Sequence, residues 1–423
     1  MNLSNVKPKT IFTGDNLPIL RGMNSETIDL IYLDPPFNSN ANYAAPIGSE
    51  AAGAEFKDTW TLDDIDITWL DLIEIDQPAL NKVIHAAMTD SDKSYLIYMA
   101  VRLLEMHRVL KPTGSIYLHC DPTMSHYLKL VMDAIFGKNN FRNEIIWHYE
   151  KWTNAAKYFQ RNHDIVLMYS ASDNYVFNKQ YGEMTDRQRQ LVRTGYNTGS
   201  SGGRQIVRIY DRENQNVIRR MPHWISEGRN IYDVPKPQGK ALADVWKIAI
   251  LNGQAKERTG YPTQKPLALL DRVINASLSK KGVVLDPFCG CATTLVAADR
   301  LQRDWIGIDI SPKAAELVVE RIKAHQGFFQ DIIHREDVPE RTDLGDIPRY
   351  NVPENKEQLY GKQEGYCNGC KEHFQSRLLE IDHIIATSVG GTDHISNLQL
   401  LCGHCNRVKG NRGQEYLLSK LNA

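Results

Sequence analysis

The chain has 423 residues, and its 50 lysines and arginines almost balance its 51 aspartates and glutamates, for a formal net charge of −1 at pH 7. This length predicts two or three domains, and the charge excludes a protein that attracts nucleic acid over its whole surface, so any such interface must be a local patch. No apolar run is long enough to span a bilayer and the N-terminus lacks a signal-peptide core, which predicts a cytoplasmic protein.

The first elements of the chain are predicted as strand, helix and strand. Thr10-Ile11-Phe12 is apolar, and Asn16 is placed to cap a short helix that tolerates Pro18 in its first turn. The apolar run from Ile28 to Leu33 is typical of a buried strand. It ends in the tetrapeptide Asp-Pro-Pro-Phe at residues 34–37, so a carboxylate, a stiff backbone and an aromatic ring share one strand-end loop.

This tetrapeptide has the residue types that methylation of a flipped-out base amine requires. The amine lone pair is delocalised into the ring and returns to the nitrogen when both N–H groups donate hydrogen bonds. Asp34 can accept one bond and the carbonyl of Pro35 the other, and the successive rings of Pro35 and Pro36 hold that carbonyl in place. Phe37 offers a stacking surface for the base. An ordinary strand-ending turn can carry the same residues, so the motif alone leaves both interpretations open.

Helices and strands then alternate after an irregular segment at residues 39–92. The pattern predicts helices over 94–110 and 122–136, a turn at 111–114, and strands at 115–120, 145–147 and 165–168. Strands that alternate with helices predict a parallel α/β sheet. His119 and Cys120 end one of these strands, and we expect them to be packing residues.

Residues from about 170 to 245 interrupt this alternation. Between residues 186 and 229 there are nine arginines, no lysine and four acids. Arginine is suited to bidentate contacts with guanine edges and phosphates, which favours a DNA-recognition insertion over a solvated surface insertion. The candidate DNA contacts are Arg187, Arg189, Arg193, Arg204, Arg208, Arg212, Arg219 and Arg220.

The α/β pattern returns after residue 262. A helix is predicted over 266–279, and a buried strand at 282–285 ends in Asp286-Pro-Phe-Cys-Gly-Cys-Ala-Thr-Thr, which opens the next helix. A loop in this position is where α/β sheets bind nucleotide-like ligands. It lacks both the Gly-x-Gly-x-x-Gly spacing and a P-loop lysine, so a cationic ligand beside Asp286 is favoured over a polyphosphate. The following strand, at 304–308, ends at Asp309, where an acid can accept both hydroxyls of a ribose.

Asp-Pro-Phe-x-Gly-x-x-Thr-Thr, Gly-Ile-Asp and an earlier Asp-Pro-Pro-Phe together resemble the β-class of S-adenosyl-L-methionine-dependent DNA amino-methyltransferases, over about residues 8–325. The resemblance implies a Rossmann-like sheet, with the catalytic loop first and the cofactor loop last. It places Asp286, Phe288, Gly290 and Thr293 in the cofactor loop, Asp309 at the ribose, Asp15 near the adenine, and Lys265 and Pro266 at the methionine tail. Asp34 in place of serine favours adenine N6 over cytosine N4.

The tail contains four cysteines in two Cys-x-x-Cys pairs: Cys367, Cys370, Cys402 and Cys405. This spacing predicts a structural zinc site, because the segment is too small for a core of its own. Together with Ile381-Asp-His-Ile, Asn397-Leu and Cys405-Asn-Arg, it resembles the HNH endonuclease module, a ββα fold, over about residues 359–413.

The resemblance assigns roles within this module. His383 would activate a water, Asp382 and Asn406 would hold Mg²⁺, and Asn397 would orient the loop between the strands. The module often has histidine where Asn406 stands and proline where Ala386 stands. Asparagine can still ligate Mg²⁺ through oxygen, which favours nuclease activity over a zinc module that only binds DNA.

We therefore expect a methyltransferase domain at residues 1–328 with its target-recognition insertion at about 170–245, a linker at 329–358, and an HNH domain at 359–423. The expected function is methylation of a base amine in double-stranded DNA with metal-dependent cleavage by the fused nuclease, a restriction-modification arrangement of a prokaryote or phage, at the nucleoid. An orphan methyltransferase whose tail only binds DNA, and a DNA-cleaving protein that has lost methyl transfer, stay as alternatives. A homodimer is also left open.

Overall fold

The computed structural model describes residues 3–39, 41–44, 49, 51, 55–60, 73, 77–151, 157, 159–326 and 332–421. Parts of the predicted irregular segment 39–92 and of the predicted linker 329–358 lie outside these residues. The chain forms two compact units, one of residues 178–243 and one of the remaining chain. Within the described ranges, no helix combines the length and the apolar character that crossing a membrane requires.

The strands, in chain order, are Thr10–Thr13 (β1), Ile28–Leu33 (β2), Ala41–Ala44 (β3), Glu55–Asp58 (β4), Leu110–Cys120 (β5), Phe141–His148 (β6), His163–Ser170 (β7), Tyr196–Ser201 (β8), Arg204–Ile209 (β9), Asn230–Asp233 (β10), Val245–Lys247 (β11), Val283–Asp286 (β12), Asp304–Asp309 (β13), Ile333–Arg335 (β14), Leu379–His383 (β15) and Leu398–Cys402 (β16). The helices are Asn16–Gly22 (α1), Pro78–His85 (α2), Asp90–Val109 (α3), Ser125–Phe136 (α4), Asp186–Thr194 (α5), Gln215–Ser226 (α6), Leu267–Ser277 (α7), Thr293–Arg300 (α8), Pro312–Gln326 (α9), Pro353–Lys362 (α10), Gly403–Lys409 (α11) and Gln414–Leu421 (α12).

A nine-stranded sheet organises the large unit, in the order β11-β6-β7-β5-β2-β12-β13-β1-β14. Neighbouring strands are parallel except that β7 is antiparallel to both β5 and β6. One apolar layer contains side chains of α1, α3 and α4, and the other contains side chains of α7, α8 and α9. The predicted α/β class is thus confirmed, with helices on both faces of the sheet.

Two local predictions were wrong. Asn16 does not cap helix α1, because Asp15 is the capping residue and its carboxylate accepts a hydrogen bond from Leu17 N at 3.0 Å. Residues 111–114 are not a separate turn but belong to strand β5. Ile28 pairs with Leu110, and the next pair is Leu30 with Ser115. Residues 111–114 therefore form a bulge opposite a single residue of β2.

The unit of residues 178–243 is a three-stranded sheet, β10-β9-β8, with helices α5 and α6. Its small core contains Val207, Ile209, Val217 and Trp224. Helix α5 begins with a capping box formed by Thr185 and Gln188. The predicted insertion is therefore a folded element with a core of its own.

The tail consists of the antiparallel pair β15–β16 followed by helix α11, as the ββα prediction requires. Its core is small and includes Leu379, Leu400 and Leu417 together with cysteine side chains. The short turn Thr387–Val389, between the two strands, contacts helix α1 of the large sheet domain.

Candidate functional site

A cavity of about 700 Å³ opens at the carboxyl ends of the central strands. Strands β2 and β12 are neighbours in the sheet, with Leu30 opposite Val284 and Ile31 opposite Leu285, so the loops that follow them meet at one edge. Most of the predicted catalytic and cofactor residues line this cavity: Asp15, Asp34, Pro35, Pro36, Phe37, Lys265, Asp286, Phe288, Thr293 and Asp309. Pro266 and Gly290 are not among its lining residues.

Asp34 is mostly buried and is bound by a lysine. Lys265 Nζ lies 2.8 Å from Oδ1 and 2.6 Å from Oδ2 of Asp34, and 5.1 Å from the centroid of the Phe37 ring. Only 9% of the Lys265 side chain and 19% of the Asp34 side chain are exposed. The structure thus places Lys265 on the predicted catalytic carboxylate, a contact that the sequence did not indicate.

The loop after Phe37 is held by a buried acid. Asp58 is 1% exposed and accepts hydrogen bonds from Asn38 N at 2.7 Å and from Ser39 N at 2.9 Å. The Asn38 side chain donates to Asp92 at 2.9 Å, although Asn38 itself has a left-handed backbone with φ +59°. These bonds fix the direction in which the Asp-Pro-Pro-Phe loop leaves the strand.

His119 was predicted to be a packing residue, and it is fully buried and does not line the cavity, while its ring nitrogens bond polar neighbours. Its Nδ1 lies 2.8 Å from the hydroxyl of Tyr32 and 3.8 Å from Oδ1 of Asp34, and its Nε2 lies 3.1 Å from Oδ2 of Asp164. The ring centroid lies 5.6 Å from that of Phe37. His119 lies near the end of strand β5, beside β2, and so packs against Phe37 of the Asp-Pro-Pro-Phe loop.

The protons of this network follow from its electrostatics. Burial, with further contributions from nearby carboxylates, raises the pKa of Tyr32 well above its usual value, so its hydroxyl is a donor. Burial alone would raise the pKa of Asp164, but hydrogen bonds and the charges around it, with His119 foremost, lower the pKa overall. Tyr32 therefore donates to Nδ1 and the Nε2–H group of His119 donates to the Asp164 carboxylate.

Two acids follow neighbouring strands at this edge: buried Asp286, which begins the predicted cofactor loop, and partly buried Asp309, at the end of β13. Asp286 accepts a hydrogen bond from Phe288 N at 3.1 Å, and burial, with Asp34 and Asp309 nearby, raises the pKa of Asp286 to about 7. Asp309 accepts hydrogen bonds from Gly290 N at 2.8 Å and from Ser311 N at 2.9 Å, and its pKa is also raised by burial. Two acids at the edge of a half-enclosed cavity fit a ligand that carries positive charge and ribose hydroxyls.

Helix α1 connects to this loop from the side. The Asn16 side chain donates to the carbonyl of Pro287 at 2.8 Å and accepts from Arg102 Nε at 2.7 Å. Arg102 also pairs with Asp15 at 2.8 Å, and its guanidinium lies 3.5 Å from the Tyr98 ring centroid. Arg102 therefore orients both Asp15 and the start of the helix, a role that no sequence motif indicated.

The eight candidate DNA-contacting arginines are all exposed on the unit of residues 178–243. Arg212 forms a bidentate pair with Asp233, with distances of 2.7 and 2.8 Å. Arg189 lies 3.6 Å from Asp186 and 3.7 Å from Glu183. Exposure of this set fits a local interface for phosphate and base edges.

The sulfur atoms of Cys367, Cys370, Cys402 and Cys405 all lie within 4.8 Å of one another. Tetrahedral zinc with bonds of about 2.3 Å requires sulfur atoms about 3.8 Å apart, so the cluster fits this ion. It is the one group of three or more such ligands in the described part of the chain.

The remaining predicted residues of the tail surround the end of β15. His383 Nε2 lies 2.8 Å from Oδ1 of Asp393. Asp382 accepts a bond from Gln399 at 2.9 Å and lies 3.1 Å from Nζ of Lys409, which is 1% exposed. The two asparagines that were assigned roles also form hydrogen bonds. The Asn406 amide donates to Glu380 at 2.5 Å, and Asn397 bonds the backbone of Ile385 and Thr392.

The chain matches the DNA methylase family, N6_N4_Mtase, over residues 28–320, and the HNH endonuclease family over residues 367–412.

Type II methyltransferase M.EcaI of Enterobacter cloacae is 30% identical over 274 residues, which cover 58% of this chain and 61% of the relative. DNA adenine methyltransferase YhdJ of Escherichia coli (strain K12) is 27% identical over 318 residues, which cover 74% of this chain and 82% of the relative. A crystal structure of an M1.HpyAVI–SAM complex has a TM-score of 0.40 and 16% identity, and the match covers 74% of this chain and 98% of that chain. The chain thus spans less than two thirds of the Enterobacter relative.

Proposed function

The chain belongs to the N6/N4 DNA methylase family and carries an HNH endonuclease domain, and from this premise we propose that it methylates an exocyclic base amine in double-stranded DNA. The observation that carries the proposal is the shared cavity, which is lined by the Asp34 loop together with Asp286 and Asp309. S-adenosyl-L-methionine would supply the methyl group as an electrophilic sulfonium methyl.

The protein's own groups have defined tasks in this reaction. Asp286 would hold a cationic part of the cofactor and Asp309 its ribose hydroxyls, as their burial and donor contacts favour. Asp34 would accept one N–H of the base amine and the Pro35 carbonyl the other, which raises electron density on the nitrogen. Phe37 would stack on the flipped base. The N–C bond would form as the S–C bond breaks, with the thioether as leaving group and loss of one proton from the amine, so that no covalent bond to the enzyme is needed.

Adenine N6 is the proposed target. Asp34 stands where serine is the alternative, and the Escherichia coli relative of 27% identity is named a DNA adenine methyltransferase. The exposed arginines of residues 178–243 would contact phosphates and base edges of the target site. A DNA substrate would place the protein at the nucleoid.

The experiment that tests this proposal is modification mapping. DNA from cells that express the chain is sequenced by a method that detects N6-methyladenine and N4-methylcytosine, with Asp34→Ala as the matched control. Methylated adenines at one sequence context with the intact chain, and none with Asp34→Ala, are expected. An unmethylated genome would contradict the proposal, and N4-methylcytosine would correct the base.

For the tail we propose metal-dependent DNA cleavage, so that one chain both modifies and restricts. His383, oriented by Asp393, would activate the water, and Asp382 with Asn406 would bind Mg²⁺, which usually keeps several waters and needs few protein ligands. The test compares Mg²⁺-dependent nicking by the intact chain and by His383→Ala on unmethylated DNA. Nicking that requires His383 is expected.

One observation favours a second function for the tail. Lys409 is buried against Asp382, so a positive charge already neutralises a proposed ligand of the metal. A tail whose metal ligand is already paired with Lys409 would bind DNA without cutting it, and the chain would then be an orphan methyltransferase with a DNA-binding tail. Tight DNA binding by the tail with no nicking in Mg²⁺ or Mn²⁺ would favour this alternative.

A further inference from the structure

The contact between Lys265 and Asp34 occupies the atoms that a target base needs. Lys265 Nζ bonds both carboxylate oxygens, at 2.8 and 2.6 Å, and lies 5.1 Å from the centroid of the Phe37 ring. A base amine would bring its own N–H groups to the same carboxylate and its ring to the same aromatic face. Lys265 and the base therefore compete for one position.

The lysine is held there by its own loop. Thr263 has a left-handed backbone with φ +61°, unusual for a β-branched residue, and its carbonyl lies 3.4 Å from Lys265 Nζ. Gln264 braces the same turn, since its side chain accepts from Thr259 N at 2.8 Å and donates to the carbonyl of Glu257 at 2.7 Å. A strained turn that is fixed by neighbouring hydrogen bonds indicates that the position of Lys265, which the turn determines, has a function.

We propose that Lys265 is a placeholder, which fills the position of the target amine in the free enzyme and leaves Asp34 only when a flipped base arrives. This rests on the proposed methyltransferase function. The lysine keeps the buried Asp34 carboxylate paired while no base is bound, because an unpaired buried charge is costly. Its departure is compensated only by a base that offers N–H donors, so the contact also selects an amine over a carbonyl oxygen.

This role differs from the two other roles that Lys265 can have. A lysine that binds the methionine tail of the cofactor would affect the affinity for S-adenosyl-L-methionine. A lysine that orients Asp34 during transfer would affect the turnover rate. A placeholder weakens binding of DNA, because the base must first break the ion pair.

The experiment measures three quantities on a duplex that carries the mapped site. They are the Kd for DNA without cofactor, the KM for S-adenosyl-L-methionine, and kcat. The variants are Lys265→Met, which keeps the stem and removes the charge, and Thr263→Gly, which relaxes the turn. Lys111→Met is the matched control, since Lys111 pairs with Asp29 at 2.8 Å and neither residue lines the cavity.

The placeholder predicts that Lys265→Met binds the duplex about tenfold more tightly than the intact chain, which corresponds to about 1.4 kcal/mol. Thr263→Gly should show a smaller gain in the same direction, and Lys111→Met no change in DNA affinity. A higher KM for S-adenosyl-L-methionine with unchanged DNA affinity would overturn the inference, and so would a lower kcat with unchanged DNA affinity. Absence of methylation by the intact chain would instead contradict the proposed function.

Discussion

The proposed role of buried Asp286 in holding the cofactor predicts that cofactor binding depends on pH near neutrality. Burial is the main reason why the pKa of Asp286 is raised from 3.8 to about 7, and the hydrogen bonds from Thr294 and Phe288 do not offset it. A cationic group of the cofactor interacts favourably only with the ionised carboxylate. Binding should therefore require loss of a proton from Asp286, and it should weaken as the pH falls below 7.

The size of the effect follows from the ionised fraction of Asp286. With a pKa of about 7, roughly nine tenths of this carboxyl is ionised at pH 8 and roughly one tenth at pH 6. The Kd for S-adenosyl-L-methionine should thus rise about tenfold from pH 8 to pH 6, or about 1.4 kcal/mol. The pKa of Asp309 is raised as well, so its titration can only steepen this dependence if the ribose needs the ionised form.

The same shift has a defined sign for stability. The folded protein holds a proton on Asp286 between the ordinary pKa of 3.8 and about 7, where the unfolded chain has released it. The stability that Asp286 contributes to the folded state is therefore fully present below the ordinary pKa of 3.8, and it is lost as the pH rises through the folded pKa of about 7. Stabilisation of the protein by the cofactor should accordingly grow from pH 6 to pH 8.

Calorimetric titration at pH 6, 7 and 8 measures the effect directly. Asp286→Asn should bind S-adenosyl-L-methionine weakly and with little dependence on pH. The control is Asp304→Asn at the first residue of strand β13, which should keep the pH dependence of the intact chain. S-adenosylhomocysteine, which lacks the sulfonium charge, shows whether that charge or the amino group is the partner. A Kd that stays constant from pH 6 to 8 in the intact chain, or an unchanged slope in Asp286→Asn, would refute the reasoning.

Three further predictions concern stability. Denaturation of the intact chain should release one zinc ion per chain. Cys402→Ser should unfold the tail while cofactor binding persists. A chain that holds no zinc would exclude the structural site. Gly390→Ala should lose more stability in thermal unfolding than Gly345→Ala. Both glycines have a left-handed backbone, but of the two only Gly390 would place a Cβ 2.7 Å from a backbone oxygen of helix α1. Equal losses of stability would contradict this contact. His119→Ala should cost about 1–3 kcal/mol for each polar group left unpaired, measured by chemical denaturation, and an unchanged midpoint would speak against the bond to Asp164.

Patterns local in sequence predicted the sheet, its helices and the loops that form the cavity. The run from Ile28 to Leu33 and the strand that ends at Asp286 were identified by their apolar residues, and the parallel arrangement then brings their ends to one edge. The zinc cluster was equally local, because two Cys-x-x-Cys pairs are visible in the sequence alone. In these cases spacing along the chain determines which atoms meet.

The polar contacts inside the cavity could not be predicted in this way. Lys265 and Asp34 are 231 positions apart, and their pairing depends on the conformation of the turn at Thr263. His119 meets Asp164 because β5 and β7 are antiparallel neighbours, and no local signal specified that order. The bulge at residues 111–114 likewise depends on the register between β5 and β2. Tertiary neighbours, and not spacing, decide such contacts.

The position of the last strand of the large sheet determines where the chain leaves this sheet toward the tail. Strand β14 ends the large sheet beside β1, so the chain leaves the sheet next to its own N-terminal region. The exit is fastened there, because Asn24 exchanges hydrogen bonds with Thr342 at 2.8 Å each and Ser25 N donates to Asp343 at 2.8 Å. Gly22 has no room for a side chain, since a Cβ would lie 2.0 Å from the carbonyl oxygen of Pro339. The segment that leads to the tail therefore runs beside helix α1, whose first residue bonds the carbonyl of Pro287, and the turn Thr387–Val389 of the tail contacts the same helix.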